Sequence, residues 1–430
     1  KVENPGGLSN CLEEIKAVNV NTVYKYIKTT QVPNLHIITS GDRPSNPSEL
    51  ISSSKMIKIM CRDIKYFQNV HFIVNDIRGL KSQYKNHPSL FELLSMAPAG
   101  LRYFQLLNTN YKDYVAKFKN PKVRQLLMTV IGNRYNSVSF IYTMAAFSAG
   151  DSGYPAGGSI RMVDNMVNQF SSLGGKIRFN TKVQQIVIKD NRVTGVQTEK
   201  EVIPCDHLIL SSDARKAIDS LFAEPLKTPE TESMRKRLQT ETDGSQNIFV
   251  SIGVKSDYSN LPHSIVFPLQ EPLEFAGNSF DAIRINNYSM YKNHAPSGGS
   301  SLTCLLIGAC YDFWKKAKDD GTYKEKKTEF ANLFLDKISP FLPDLKENLE
   351  VIDVATPITY ERYCDSWKGT WMTIWKRGKK SPKFPQKLKE IKNLYFAGHR
   401  IMMCGGLPVA VYTGRRAVQL LCKDTGTVFV

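Results

Sequence analysis

The stretch NLYFAGHRIMMCGGLPVAVYTGRRAVQLL, residues 393–421, constrains the fold more than any other part of the chain. Residues 394–397 are uniformly apolar and read as a short buried strand, which Gly398 ends. Gly405 and Gly406 then precede Leu407, Val411, Val418 and Leu421, which recur at helical spacing. A strand, a loop and a helix in so few residues predict an α/β junction. Two adjacent residues without Cβ let a ligand press against the backbone where the helix starts. The unpaired N–H groups and partial positive charge of a helix N-terminus suit an anionic or electron-accepting group. A glycine-rich turn leading into a C-terminal packing helix accounts for the same letters.

At 430 residues the chain can bury the cores of two or three domains. The strongest apolar run, SLTCLLIGAC, is too short to cross a bilayer and reads as a core strand. No signal-peptide pattern opens the chain, and its first residue, Lys1, suggests a natural start further upstream. The eight cysteines include no Cys-x-x-Cys pair, so no zinc site or disulfide framework is expected, and a cytoplasmic protein with reduced thiols is. The formal net charge of +17 is densest in KRGKKSPKFPQKLKEIK, which reads as a solvated loop. No nucleic-acid recognition motif accompanies it, so nucleic acid is not an expected partner. Peripheral contact with an anionic membrane at its inner face is the alternative, with the apolar helical segment 91–107 as its docking element.

Residues 1–78 differ in texture from the rest. An apolar strand at 36–39, a helix opened by NPSEL and a second strand, NVHFIVND, predict an α/β unit. Asp76, at the carboxyl end of that second strand, stands where such folds place a Mg²⁺ or nucleotide ligand, and equally where a turn places a strand-ending Asp. GLSNCLEE, VPNLHIITSGDRPSNPSELISSSKM and VHFIVND resemble the latter part of a bacterial polysaccharide-associated tyrosine kinase, a P-loop ATPase. Asp76 falls on that family's second acidic motif, but the chain has no Gly-Lys-Ser or Gly-Lys-Thr, so kinase activity is not expected.

From residue 79 to 150 the pattern is long and helical, with apolar positions that suit either a core or a pocket for a long hydrophobic substrate. Gly157-Gly158 then open a helix carrying Ile160, Val163, Val167 and Phe170 on one face, and Gly174-Gly175 close it. A strand is predicted at 176–179, a hairpin over 183–188 and 193–196 around KDNR, and a buried strand in CDHLILSSDA. SQNIFVSIGV, HSIVFPL and SSLTCLLIGACYDFW predict a second, mostly antiparallel sheet with a helix over 323–342. No Gly-x-Ser-x-Gly elbow or His-Glu-x-x-His occurs, and the seven histidines are isolated, so no hydrolytic or metal centre is indicated.

GYPAGGSIRMVDNMVNQFSSLGGKIRFNTKVQQIV, VTGV, CDHLILSSDA, TPITYERY and the C-terminal stretch occur in this order. Together they resemble the flavin-containing amine oxidase superfamily, and within it the phytoene desaturase branch of carotenoid desaturases and isomerases, from about residue 80 onward. The resemblance implies a mixed α/β flavoprotein. Residues 151–215 and 391–430 would form an incomplete Rossmann-like FAD-binding domain. Residues 79–150 and 216–390 would form a substrate domain of mixed sheet and helices, with 1–78 an appended α/β fragment. It implies that the backbone at Val183 lies against the adenine, and that Gly398 and His399 lie near the pyrophosphate and ribityl chain. Gly405, Gly406, Leu407 and Val409 would present the helix mouth to the isoalloxazine. The superfamily's Gly-x-Gly-x-x-Gly is absent, so FAD is the expected cofactor with a weakened pyrophosphate anchor, and the chain reads as a fusion or a truncated product. The expected function is FAD-dependent oxidation of a long apolar polyene or isoprenoid. No catalytic side chain is singled out, and a kinase remnant and an inactive scaffold stand as alternatives.

Overall fold

The computed structural model describes residues 155–239, 246–291, 294–308, 310–342, 344–370, 384–401 and 406–429. In the N-terminal part it describes 28–29, 36–37, 105–119, 136–148 and isolated positions between 102 and 131. The chain forms two compact units, Lys1–Tyr154 and Pro155–Val430. The expected boundary at residue 78 lies inside the first unit and outside the described residues, as does Asp76.

In the first unit β1 (Lys28–Thr29) pairs antiparallel with β2 (His36–Ile37). Helices α1 (Tyr111–Val115) and α2 (Ser137–Ser148) follow. The Asn110 side chain caps α1 by accepting the Lys112 amide at 2.8 Å. Fully buried Tyr111 and Phe140 bring the two helices together with ring centroids 5.0 Å apart.

The second unit begins with α3 (Gly158–Ser172), whose N-cap Gly157 takes φ +81°, a conformation that favours glycine. The face that the sequence marks as apolar is open: Ile160 is 76% and Phe170 49% exposed. The strand expected at 176–179 does not form, and no described strand pairs with that segment. The hairpin does form, as β3 (Val183–Lys189) and β4 (Arg192–Thr198), extended by β5 (Val202–Pro204). Asp190 and Asn191 turn it with φ of +52° and +57°, as a two-residue primed turn requires.

Next come β6 (Leu208–Leu210), α4 (Ala214–Ser220) and α5 (Pro229–Gln239). The chain then builds a five-stranded antiparallel sheet from β7 (Asn247–Val254), β8 (Ser264–Phe275), β9 (Asn278–Asn287), β10 (Ser300–Ile307) and, later, β11 (Leu349–Ala355). The spatial order is β11-β7-β10-β9-β8. The patterning of SLTCLLIGAC foretells β10, whereas β9 and β11 carry more polar letters and emerge only through pairing. Between β10 and β11 lie α6 (Tyr311–Asp319) and α7 (Tyr323–Ile338), the latter ending before the expected residue 342. After β11, Thr356 forms a capping box with Thr359 and starts α8 (Pro357–Cys364), and a 3₁₀ turn follows at Trp367–Gly369.

β12 (Leu394–Phe396) returns to pair in parallel with β6, Leu394 opposite Leu208 and Phe396 opposite Leu210. Both of its faces are buried, which explains why its sequence is uniformly apolar rather than alternating. Leu394 and Phe396 join a core with Ile186, Val193, Leu210 and Ile218, while Tyr395 and Ala397 pack on Ala417 of the last helix, α9 (Gly406–Thr425). Asn393, at φ +53°, fastens β12 to the hairpin: it accepts the Val193 amide at 3.0 Å and donates to the Val193 carbonyl at 2.8 Å.

Candidate functional site

Parallel strands β6 and β12 end side by side, so the loops that follow them converge. The first is Ser211-Ser212-Asp213 and the second Gly398-His399-Arg400. Crevices at the carboxyl ends of parallel strands are the usual ligand sites of α/β sheets. A cavity of about 210 Å³ opens here, lined by both loops and by Tyr360, Cys364, Ser366 and Thr370 from the α8 region.

Asp213 organises the floor. Its Oδ1 caps α4 by accepting the amides of Arg215 at 2.9 Å and Lys216 at 3.3 Å. Its Oδ2 accepts the Trp367 amide at 2.8 Å and pairs with the Arg400 guanidinium. Both partners are buried, and burial lowers the Arg400 pKa while the Asp213 charge opposes that shift. One carboxylate thus ties together the loop after β6, the loop after β12 and the turn after α8. Burial pushes the hydroxyl of Tyr360, another lining residue, up to about 12, with Cys364 adding to the shift.

Gly398 sits between two backbones. Its φ is +121°, and a Cβ there would stand 3.2 Å from the Ser211 carbonyl oxygen. Its amide donates at 3.0 Å to Thr413 Oγ1 on α9, and that hydroxyl donates to the Val409 carbonyl at 2.8 Å. Gln386 reinforces the junction, donating to the carbonyls of Phe396 at 3.1 Å and Thr413 at 2.8 Å. The second turn of α9 is therefore fixed to the end of β12 by the buried Thr413 and the half-buried Gln386.

The structure brings some of the residues expected at a flavin together. Gly398 and His399 line the cavity. Val409 is joined to Gly398 through Thr413, and Gly406, at φ +77°, and Leu407, 61% exposed, form the first turn of the same helix. Gly405 lies outside the described residues. Val183 starts β3 in the three-stranded sheet and is not among the cavity's lining residues. Val411 and Val418, read from their spacing as part of the helix's packing face, are 50% and 38% exposed; Thr413, Ala417 and Cys422 form the buried face instead.

Asp213, Arg400, Ser366 and Thr413 escape the sequence reading. A helix-capping Asp is legible in SSDAR, but its ion-pair partner lies 187 residues away. Thr413 was hidden inside an apolar helix repeat, where a lone hydroxyl carries no periodic signal.

The chain matches the family described as flavin containing amine oxidoreductase over residues 90–422. It is 26% identical over 381 residues to the 1-hydroxycarotenoid 3,4-desaturase of Flavobacterium sp. (strain P99-3), covering 83% of this chain and 74% of that protein. It is 25% identical over 288 residues to the all-trans-retinol 13,14-reductase of Danio rerio, covering 59% of this chain and 46% of the reductase, so it spans less than half the length of that relative. Among solved structures, putrescine oxidase bound to putrescine superposes with a TM-score of 0.50 at 13% identity, over 90% of this chain and 79% of that one, a likeness of fold. None of these matches supports the kinase-like reading of residues 1–78, and the family match starts only at residue 90. The chain, a mixed α/β flavoprotein fold, belongs to the flavin containing amine oxidoreductase family.

Proposed function

We propose that this chain is an FAD-dependent oxidoreductase acting on a long apolar polyene or isoprenoid. The observation that carries the reading is the junction of Gly398 with α9, made through Thr413 in that helix's second turn, at the carboxyl ends of β6 and β12. Two features there fit a flavin: a glycine whose Cβ would crowd Ser211, and a helix whose first residue, Gly406, has no side chain at positive φ. Bound FAD supplies a two-electron, hydride-accepting or hydride-donating centre. The protein's part is to place the first turn of α9, with its amide donors and partial positive charge, beside the electron-rich edge of the ring. Gly398 and His399 would adjoin the chain linking ring to pyrophosphate, and Gly405, Gly406, Leu407 and Val409 would line the ring. Val183 would approach the adenine.

We assign residues 151–215 and 391–430 to cofactor binding, supported by the parallel pairing of β6 with β12. Residues 79–150 and 216–390, which include the five-stranded sheet, are assigned to the substrate. The polyene class is supported by the two relatives, one named as a carotenoid desaturase and one as a retinol reductase. Oxidation of a carbon–carbon bond to an alkene removes a hydride, which bound FAD would accept, and a proton, which would pass to a base or to solvent; no side chain is assigned that second role. Purification followed by an absorbance scan, with and without added FAD, tests the reading. A yellow protein with flavin bands is expected. A protein that stays colourless at saturating FAD overturns it.

A further inference from the structure

Among the described helices α3 alone has no buried residue. At about 100° per residue, Ile160, Val163, Met166, Val167, Phe170 and Leu173 fall within an arc of about 140°, while Arg161, Asp164, Asn165 and Asn168 occupy the opposite side. The stripe is open to solvent: Met166 is 61% and Leu173 77% exposed, and Phe179, beyond the helix end, 70%. A helix of 15 residues is marginal in water on its own, and in folded proteins the packing of its apolar face supplies most of its stability. Other amphipathic helices of the chain have that packing, for α6 buries Trp314 and α9 buries Ala417.

The charges around the stripe select its cover. Within residues 155–182, Arg161, Lys176, Arg178 and Lys182 stand against a single acid, Asp164. Arg178 pairs with Glu201, but both side chains are more than half exposed, so water screens the pair strongly. Lys176 and Lys182 are exposed on the stretch that continues from the stripe. Strong amphipathicity with little net hydrophobicity, a phenylalanine on the apolar side and basic residues beside it describe a helix that lies in the surface of an anionic bilayer. The segment that the sequence offered for this role, 91–107, is less suited: Leu106 and Leu107 are buried in the first unit.

We infer that α3 and the stretch after it, to Lys182, form a docking surface for anionic lipid. The apolar stripe and Phe179 enter the boundary between headgroups and acyl chains, and Lys176 and Lys182 meet the lipid phosphates. This surface stands independently of the flavin reading.

Flotation of the full chain with vesicles of equal parts phosphatidylcholine and phosphatidylserine tests it. The double variant Ile160→Gln/Leu173→Gln should bind these vesicles at least about tenfold more weakly than the parent. Without lipid it should melt at the parent's temperature, because both side chains are exposed. Lys176→Gln/Lys182→Gln should also lose about tenfold on these vesicles and nothing on pure phosphatidylcholine. Leu173→Trp, which keeps the stripe apolar, should bind like the parent and gain a tryptophan emission that moves to shorter wavelength when vesicles are added. A parent that does not float, unchanged binding in either glutamine variant, or a Leu173→Trp emission unmoved by vesicles overturns the inference. So does an Ile160→Gln/Leu173→Gln protein that melts lower or fails to fold, since the stripe would then be packed within the protein. A lipid-free dimer in sedimentation that the same variant converts to monomer also overturns it, making the stripe a seam between two copies.

Discussion

Thr413 Oγ1 accepts the Gly398 amide at 3.0 Å and lies 3.1 Å from the Gly398 carbonyl oxygen, so one fully buried hydroxyl joins the last helix to the end of its neighbouring strand. Thr413→Val keeps the shape and removes the hydroxyl, leaving a buried amide unpaired. The expected cost is about 1–3 kcal/mol in denaturant unfolding, together with reduced flavin retention, because α9 is no longer held against Gly398. Thr413→Ser should recover most of both. Equal stability of the valine and parent proteins would show that the bond is dispensable.

Two glycines of α9 should respond in opposite directions. Gly406 stands at φ +77°, where a β-branched residue is strained by about 1–3 kcal/mol, and its side chain would fill the space proposed for the ring. Gly406→Val should lose flavin while circular dichroism stays close to the parent. Gly414 is mid-helix, and a Cβ there would meet nothing within 4 Å. Gly414→Ala should be neutral or stabilising by up to about 1 kcal/mol, with flavin retained. Equal retention in both variants would reduce the glycine pair to a turn.

Asp213 has the largest structural role in the cavity. Asp213→Asn leaves the buried Arg400 charge uncompensated and weakens the cap of α4. A loss of about 3–5 kcal/mol is expected, read from chemical denaturation. A loss under about 1 kcal/mol would mean that Arg400 finds another anion or reaches water.

At the far end of α9, Tyr395 donates to Asp424 Oδ2 at 2.8 Å and Lys387 pairs with the same oxygen. Burial alone would raise the Asp424 pKa, but the hydrogen bonds from Lys387 and Tyr395 and the charges of Lys387 and His207 outweigh it, and the pKa is lowered. A lowered folded-state pKa contributes stability above the unfolded value, and that contribution is lost as pH falls through the folded one. Asp424→Asn should therefore melt below the parent at neutral pH, with the gap closing under about pH 4. A gap that stays constant with pH would assign the effect to packing.

The net charge of +17 motivates peripheral docking on anionic lipid, and no described helix is long and apolar enough to span a bilayer. Co-flotation with anionic liposomes at low salt, lost at high salt, is the expected result. Absence of the protein from the lipid fraction at low salt removes the proposal.

Local signals carried much of this structure. The KDNR turn, the apolar run of β10, the glycine at the end of β12 and the start of α9 at Gly406 depend on neighbouring residues, and each is legible from spacing and backbone chemistry. β9 and β11 were not read as strands, because their many polar letters weaken the apolar signal and pairing with neighbouring strands fixes them. The apolar face of α3 is real in the sequence yet exposed, since periodicity marks which residues share a face and says nothing about what covers it. The glycines of the candidate site could be read from the sequence because they answer a local backbone need. The groups around them could not: Asp213 and Arg400 are 187 residues apart, and Thr413 bonds Gly398 across 15. Pairing across such distances depends on which strand ends the fold sets side by side, and that is decided only when β12 docks in parallel on β6.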